Sequence, residues 1–486
     1  MQIPIKATKH EIGFIVTAQD YLLYLEGLPS VKVNDILISE NGSRALVAAL
    51  DRERIEALML DRDRPRPGDS FTLSTDGIRL PLKSDLFGRT INPLGFPLDG
   101  KPALTGGNVL IDLDAIAPGI DARKIITEQL ISGITMIDTL LPIGKGQREL
   151  IIGEPRSGKA QVLVDFIANQ RDTGTVCVYA AIGKSEIDLK RFAEDLERAK
   201  ANTYTIVVAA TSNESAPLIS IAPYVACSIA EYYCRKGTNV LLILDDLSTH
   251  AKYLREIALL SGRIPGRESY PADIFYQHSH LVERAGNFNY KAGNASITLL
   301  PVVEANLENL TTYIPTNVMS MTDGHIFFSA GLRAEGFYPS IEADRSVTRV
   351  GHQTQKSILK ILADRVRLLL ADYHELERYG HFGSELTAET QVTINKGMIT
   401  VELMKQETGQ SIAPPVQIML LSLIFTPFFD KRDVEFIRRY KEILLKTIME
   451  AKPFQELGKI LMEMELEAII TKLTENLKLL EDACRS

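Results

Sequence analysis

The sequence predicts a multidomain α/β protein with a small β-barrel over residues 1–73, an α/β domain over 74–355 and an α-helical domain over 356–486. Three observations carry that division. The first stretch holds short apolar segments punctuated by turns, the pattern of a small barrel or sandwich. The middle alternates β-branched strands with helical stretches, which implies a parallel sheet covered on both faces. The last carries apolar residues at helical spacing and no strand pattern.

In the first region the strands are GFIVTA, YLLYLEG, DILISENG and ALVAALD, closed by RPRPGDSFTL. The middle region supplies RELIIG, TVCVYAAIG, TYTIVVAA, NVLLILDD and ASITLLPVV. Helices are expected over 357–378, 388–407, 433–450 and 454–484. The run VQIMLLSLIF (416–425) is flanked by prolines and is about half the length a membrane span needs, so it reads as a buried core helix.

Composition narrows the function classes. A formal net charge of −8 over 486 residues, with no basic stripe, argues against nucleic-acid binding. The opening MQIPIKATKHEIGF lacks the basic-then-apolar order of a signal peptide. Four cysteines without CxxC spacing fit a reduced, cytosol-facing chain with unpaired thiols. The eight histidines show no metal-ligand spacing.

The chemistry concentrates in IIGEPRSGKAQV (151–162). Gly153, four residues, Gly158 and Lys159 form a GxxxxGK loop between a buried strand and a helix, the setting a phosphate-binding loop requires. Backbone N–H groups along Arg156, Ser157, Gly158, Ala160 and Gln161 make an anion nest at the helix N-terminus, and Lys159 adds a point charge for phosphates. Pro155 removes one donor from that nest. Ala160 stands where a Ser or Thr hydroxyl normally completes Mg²⁺ coordination, so metal-dependent nucleotide affinity is expected to be weakened.

NVLLILDDLS (239–248) describes a buried strand that delivers Asp245 to its carboxyl end, where such sheets bind ligands. Asp245 would hold magnesium through water; the N-cap of the next helix is a substantial alternative reading for Asp246 and a minor one for Asp245. Hydrolysis also needs a carboxylate that orients the attacking water, and the natural place is the end of TVCVYAAIG. The residue there is Lys184, a cation; Ser185-Glu186 reads as a helix cap and first-turn acid. Phosphate binding is kept and hydrolysis is lost.

Several runs together resemble the alpha subunit of rotary F-type ATP synthases: SGITMIDTLLPIGKGQRELIIGEPRSGK (132–159), YAAIGK (179–184), IVVAATS (206–212), LDDLSTHAKYLREIALLSGRIPGRESYPADIFYQHSHLVERAG (244–286) and SVTRVG (346–351). The resemblance covers most of the chain, and RIPGRESYPADIFYQHS is highly specific to that family. It implies a RecA-like nucleotide-binding domain and bound ATP or ADP with Mg²⁺. It also implies an alternating ring with three beta-like catalytic subunits around a gamma-like central stalk. The chain would then be a peripheral protein at the cytoplasmic face of a membrane, coupled indirectly to an ion-translocating sector. The overall reaction would be ATP hydrolysis or synthesis coupled to ion transport, with this chain not catalytic on its own.

In that family the alpha subunit supplies an arginine finger to its neighbour, and by position this is Arg349, where a guanidinium can stabilise charge developing on the γ-phosphate. A structural salt bridge is the alternative reading of Arg349, with Arg345 able to share that role. Tyr338 matches the adenine-stacking tyrosine of beta subunits or is a core aromatic, and Gln406 matches one adenine contact. The family's threonine is replaced by Ala160, and Lys184 stands where alpha subunits carry Gln and beta subunits the catalytic Glu. Set against the family, the sequence starts close to the strand EIGFIV, and the helix that usually docks the peripheral stalk is expected to be missing. Two alternatives stay open: a self-sufficient secretion-type homohexameric ATPase, which needs a glutamate after Gly183, and a ring scaffold with a vestigial pocket.

Overall fold

The computed structural model describes residues 7–52, 54–74, 77–82, 86–106, 109–306, 310–380 and 388–485; residues 1–6 of the expected barrel lie outside the described residues. The chain divides into two compact units. One comprises Met1–Ile126, Lys145–Pro155 and Gln170–His325; the other comprises Thr127–Gly144, Arg156–Asn169 and Ile326–Ser486.

The first unit begins with a closed barrel of β1 (Ala7–Gln19), β2 (Leu22–Gly27), β3 (Ile36–Ser39), β4 (Arg44–Leu50), β5 (Ile55–Met59) and β6 (Ser70–Ser74). Its order is β1-β2-β5-β4-β3-β6, with β6 pairing back onto β1, so no sheet edge is left open. Leu23, Leu25, Leu37, Val47, Ala57 and Phe71 fill the interior. The barrel is tied to the α/β part of the same unit by polar contacts: Tyr21 Oη donates to Glu256 at 3.0 Å, and Ser261 Oγ to Glu56 at 2.9 Å.

The α/β part carries a parallel sheet. Its strands are β7 (Arg89–Ile91), β8 (Glu149–Gly153), β9 (Val176–Lys184), β10 (Thr205–Thr211), β11 (Val240–Asp245) and β13 (Gly293–Glu304); β12 (Gly286–Tyr290) runs antiparallel to β13. The spatial order is β8-β13-β11-β9-β10-β7. β8, β10 and β11 are buried along their whole lengths, as expected for strands covered on both faces. The register pairs Gly153 with Glu304 and Ala181 with Asp245. The carboxyl ends of β8, β13, β11 and β9 therefore share one edge, the edge where open α/β sheets take ligands. Helices Glu186–Arg198, Ala216–Arg235 and Leu247–Leu260 start on side-chain caps from Ser185, Ser215 and Asp246.

The second unit is mainly helical. Among the described residues no strand follows Val347–Thr348. The run at 416–425 is the expected buried helix, Pro414–Ser422, with Gln417 to Ser422 all buried and a 3₁₀ turn Leu423–Phe425 after it. Buried Asp138 ties this helix to the segment before the phosphate loop, accepting from Ser132 N and Oγ, Gly133 N and Gln417 Nε2 at 2.8–2.9 Å. Burial raises the Asp138 carboxyl to about 6 despite those donors. The 454–484 stretch differs from expectation. It is broken into Lys452–Ile460, Leu466–Glu475 and Leu477–Ala483. Met464 is extended, and Asn476 leaves the helical region while its amide donates to Lys472 O, the competition that makes Asn a poor helix-interior residue. Among the described residues, no helix is long and apolar enough to cross a membrane.

Candidate functional site

The strand–loop–helix around the glycine-rich loop forms as its sequence dictates. β8 ends at Gly153 and the helix Lys159–Ala168 begins six residues later. Gly158 occupies the N-cap position with φ +88°, a left-handed conformation that a Cβ would strain. Gly158 provides no side-chain cap, and the helix N-terminus opens on the loop, the end of a helix that favours an anion. Lys159 is buried, with Nζ 3.5 Å from Ser157 Oγ, while Arg156 and Ala160 are exposed and Gln161 half-buried. The loop's carbonyl at Ser157 accepts from Ser340 Oγ.

Two residues tied by sequence to base recognition lie in the second unit. Tyr338 is 5% exposed; its hydroxyl donates to Asp165, and the Arg333 guanidinium sits 5.4 Å over its ring. Burial, with Asp165 beside it, raises the Tyr338 phenol well above the ordinary range. Gln406 is also buried: its oxygen accepts from Thr135 N at 2.6 Å, and its nitrogen donates to Gly133 O and Gln410 O at 3.0 and 2.8 Å. Both amide protons of Gln406 are thus committed to backbone, and its carbonyl keeps one lone pair.

A charged cluster lies at the carboxyl ends of β9 and β11. Lys184 Nζ lies 2.7 Å from Asp245 Oδ1 and 3.1 Å from Asp246 Oδ2. The second oxygen of Asp245 accepts from Tyr179 Oη at 2.7 Å. Asp246 Oδ1 caps the following helix through Thr249 N, and Thr249 Oγ1 reaches Oδ2. Gly183 makes this geometry possible. Its φ is +65°, a Cβ there would come within 2.7 Å of Tyr253 and 2.8 Å of Thr249, and the β9–β10 register shifts between Ile182 and Lys184. The strand end therefore turns and lays Lys184 over the two aspartates. Burial opposes the ammonium charge, but Asp245 and Asp246 outweigh it and hold the Lys184 pKa above the usual lysine value. Tyr179 is fixed by stacking on Phe192, ring centroids 3.8 Å apart.

Sequence reasoning treated Lys184 and Asp245 separately and missed their pairing, together with Tyr179 as the partner of Asp245 and Asp165 as the partner of Tyr338. The available signal was positional: YAAIGK and LILDD both end strands of one parallel sheet, and neighbouring strands in register would bring the two ends together. Glu186 opens its helix behind the Ser185 cap, whose Oγ accepts from Asp188 N at 3.1 Å.

Arg349, in the second unit, is exposed and makes no ion pair or side-chain hydrogen bond among the described residues. Arg345 pairs instead with Glu342 at 3.0 Å.

A magnesium ion does not fit the Asp245–Asp246 pair in the arrangement the structure gives it. All four oxygens of Asp245 and Asp246 already accept hydrogen bonds, and an ammonium sits between the carboxylates. Among the described residues no group of three or more His, Cys, Asp or Glu side chains could hold a metal ion.

Comparison with known proteins places these features. Residues 133–348 match the family model of the ATP synthase alpha/beta family, nucleotide-binding domain, and residues 355–479 match the ATP synthase alpha/beta chain, C terminal domain. The chain is 39% identical over 435 residues to the ATP synthase subunit alpha of Lacticaseibacillus casei (strain BL23), covering 89% of this chain and 85% of that protein. It is 37% identical over 473 residues to the ATP synthase subunit alpha of Lactobacillus helveticus (strain DPC 4571), covering 96% and 94%. A third relative, the ATP synthase subunit alpha of Lactiplantibacillus plantarum, is 39% identical over 439 residues, 90% and 87% of the two chains. With the barrel, the phosphate-loop α/β fold and the helical region all matched by these alignments, the chain belongs to the alpha-subunit family of F-type ATP synthases.

Proposed function

We propose that this chain is a non-catalytic, nucleotide-binding alpha-type subunit of a rotary, ion-translocating ATP synthase or ATPase. It alternates with beta-like catalytic subunits in a three-plus-three ring around a gamma-like stalk, peripheral to the cytoplasmic face of a membrane. The observation that carries the reading is the Lys184–Asp245–Asp246 cluster. Hydrolysis requires a free carboxylate to orient water at the end of β9, and a lysine locked onto two aspartates can neither accept a proton nor polarise water for attack.

Arg349 is assigned to the neighbouring subunit's nucleotide. Its exposure and its lack of an internal partner among the described residues support a guanidinium held ready for a phosphate presented from outside this chain. The chain's own loop, Gly153 to Gln161, retains backbone donors and Lys159 for the phosphates of ATP or ADP, and Tyr338 and Gln406 are assigned to the adenine side. Among the described residues, Gln406 keeps one carbonyl lone pair to offer a base.

The reading is tested by ATPase assays on the purified chain alone and after assembly with its beta-type partner. No turnover alone and turnover on assembly are expected. Turnover by the isolated chain that is abolished by Glu186→Gln would instead restore the self-sufficient homohexamer.

A further inference from the structure

We infer that Arg333 is a further phosphate-binding residue of this chain's own nucleotide site, a guanidinium held beside the glycine-rich loop for the phosphate chain of ATP or ADP. The inference rests on the nucleotide-binding reading above and adds a residue to it. Every group it uses belongs to the second unit.

The run SAGLRAEGFYPS (329–340) sets the position of Arg333 locally. Ser329 caps a short helix, Ala330–Ala334, by accepting from Leu332 N. Gly336 ends that helix in the left-handed region, with φ +78°. Gly336 N donates to Arg333 O at 3.0 Å and Phe337 N to Leu332 O at 2.9 Å, the paired bonds of a Schellman stop. The chain turns back on itself there and lays Tyr338 under the Arg333 side chain, with the guanidinium 5.4 Å from the ring centroid.

Two contacts fix this segment to the loop and its helix. Ser340 Oγ donates to Ser157 O, and Tyr338 Oη donates to Asp165 on the helix Lys159–Ala168. Arg333 comes to rest over the start of that helix: a Cβ built at Gly158, the N-cap, would lie 3.6 Å from Arg333 Cδ and 3.7 Å from its Nε. The Asp165 carboxylate is committed to the Tyr338 hydroxyl and lies 3.4 Å from Gln161 Nε2. Arg333 is exposed, and among the described residues its guanidinium makes no ion pair and no hydrogen bond.

A cation beside a helix N-terminus stands against the helix dipole, which favours negative charge at that end. Lys159, the first residue of the same helix, adds a second positive group. A phosphate chain at the loop supplies the charge that the helix end and the guanidinium both lack. Arginine suits this place because its planar fork matches phosphate oxygens in pairs, while its face packs on an aromatic ring. Tyr338 therefore acts as a platform: it orients the fork toward the loop without neutralising it, and its own hydroxyl is anchored to Asp165.

The experiment is equilibrium binding of a fluorescent ATP analogue to the full chain in magnesium buffer, with inorganic tripolyphosphate as a competitor that has a phosphate chain and no base. Arg333→Gln is expected to weaken the analogue and the competitor alike, by about tenfold, the scale of one charge-assisted contact. Arg333→Lys keeps a point charge without the fork and is expected to fall between wild type and Arg333→Gln. Urea unfolding midpoints of the three proteins are expected to coincide, because the side chain is exposed and holds no partner among the described residues. Analogue binding by Arg333→Gln within about twofold of wild type overturns the inference alone. So does a loss confined to the analogue, which makes Arg333 a base contact, or a loss matched by a lowered urea midpoint, which makes it a packing residue. No nucleotide bound by wild type overturns the nucleotide-binding reading and this inference with it.

Discussion

The Lys184 ammonium lies 2.7 Å from Asp245 and 3.1 Å from Asp246, joining the end of one parallel strand to the end of its neighbour. Removing the ammonium while leaving two buried carboxylates is the costly half of breaking such a cluster, because uncompensated charge stays in place. Lys184→Met is therefore expected to destabilise the chain by about 3 kcal/mol, read from urea unfolding at pH 7. The lysine pKa is raised, so its stabilisation is fully present below the ordinary lysine value of about 10.4 and is lost as pH rises through the higher folded value. The wild-type and Lys184→Met stability curves should converge only in strong alkali.

Acid should act elsewhere. His250 and His278 are both buried and share a hydrogen bond, with Nδ1 of the first 3.2 Å from Nε2 of the second, and His250 Nε2 donates to Ser220 O at 2.9 Å. Burial lowers His250 to about 4, against a weaker opposing pull from the Ser220 carbonyl and Asp246; burial and then His250 lower His278 well below the usual value. Groups held neutral in the fold bind protons on unfolding, so stability is lost as pH falls below about 6.5, at up to roughly 1.4 kcal/mol per pH unit for each histidine. His250→Gln should flatten the stability profile between pH 6.5 and 4. An unchanged slope contradicts the buried neutral pair.

Ala160→Thr on its own restores the missing hydroxyl but leaves Lys184 on Asp245. Retention of nucleotide in magnesium should change by less than about threefold, a difference under 1 kcal/mol. A large gain from the single substitution would show that the missing hydroxyl alone limits metal-dependent retention.

Much of this was legible in the sequence because it is local. RELIIG, the loop and the following helix announce themselves by apolar runs, glycine spacing and a basic residue, and the structure builds them as read. The Ser185 and Asp246 caps follow from residue type one position before a helix. The Lys184–Asp245 pair is different. Its members are separated by more than sixty residues and meet only because β9 and β11 are adjacent in the sheet, an arrangement no local pattern encodes. Tyr338 shows the same limit: its sequence context resembles a base-stacking position, while its hydroxyl partner Asp165 comes from a distant helix. The break of 454–484 into three helices arises from Met464 and Asn476, where apolar periodicity continues across a backbone that does not.

Arg349 carries the claim that this chain acts on a neighbour's nucleotide. In the assembled ring, Arg349→Ala should leave assembly intact, because the side chain is exposed and holds no partner within the chain among the described residues. Turnover should fall by about a thousandfold, the scale of an arginine finger, with little change in nucleotide affinity. The direct measurement is single-site ATP turnover by wild-type and Arg349→Ala rings of verified stoichiometry. Loss of turnover with intact assembly is the predicted result; equal turnover in the two rings contradicts the account.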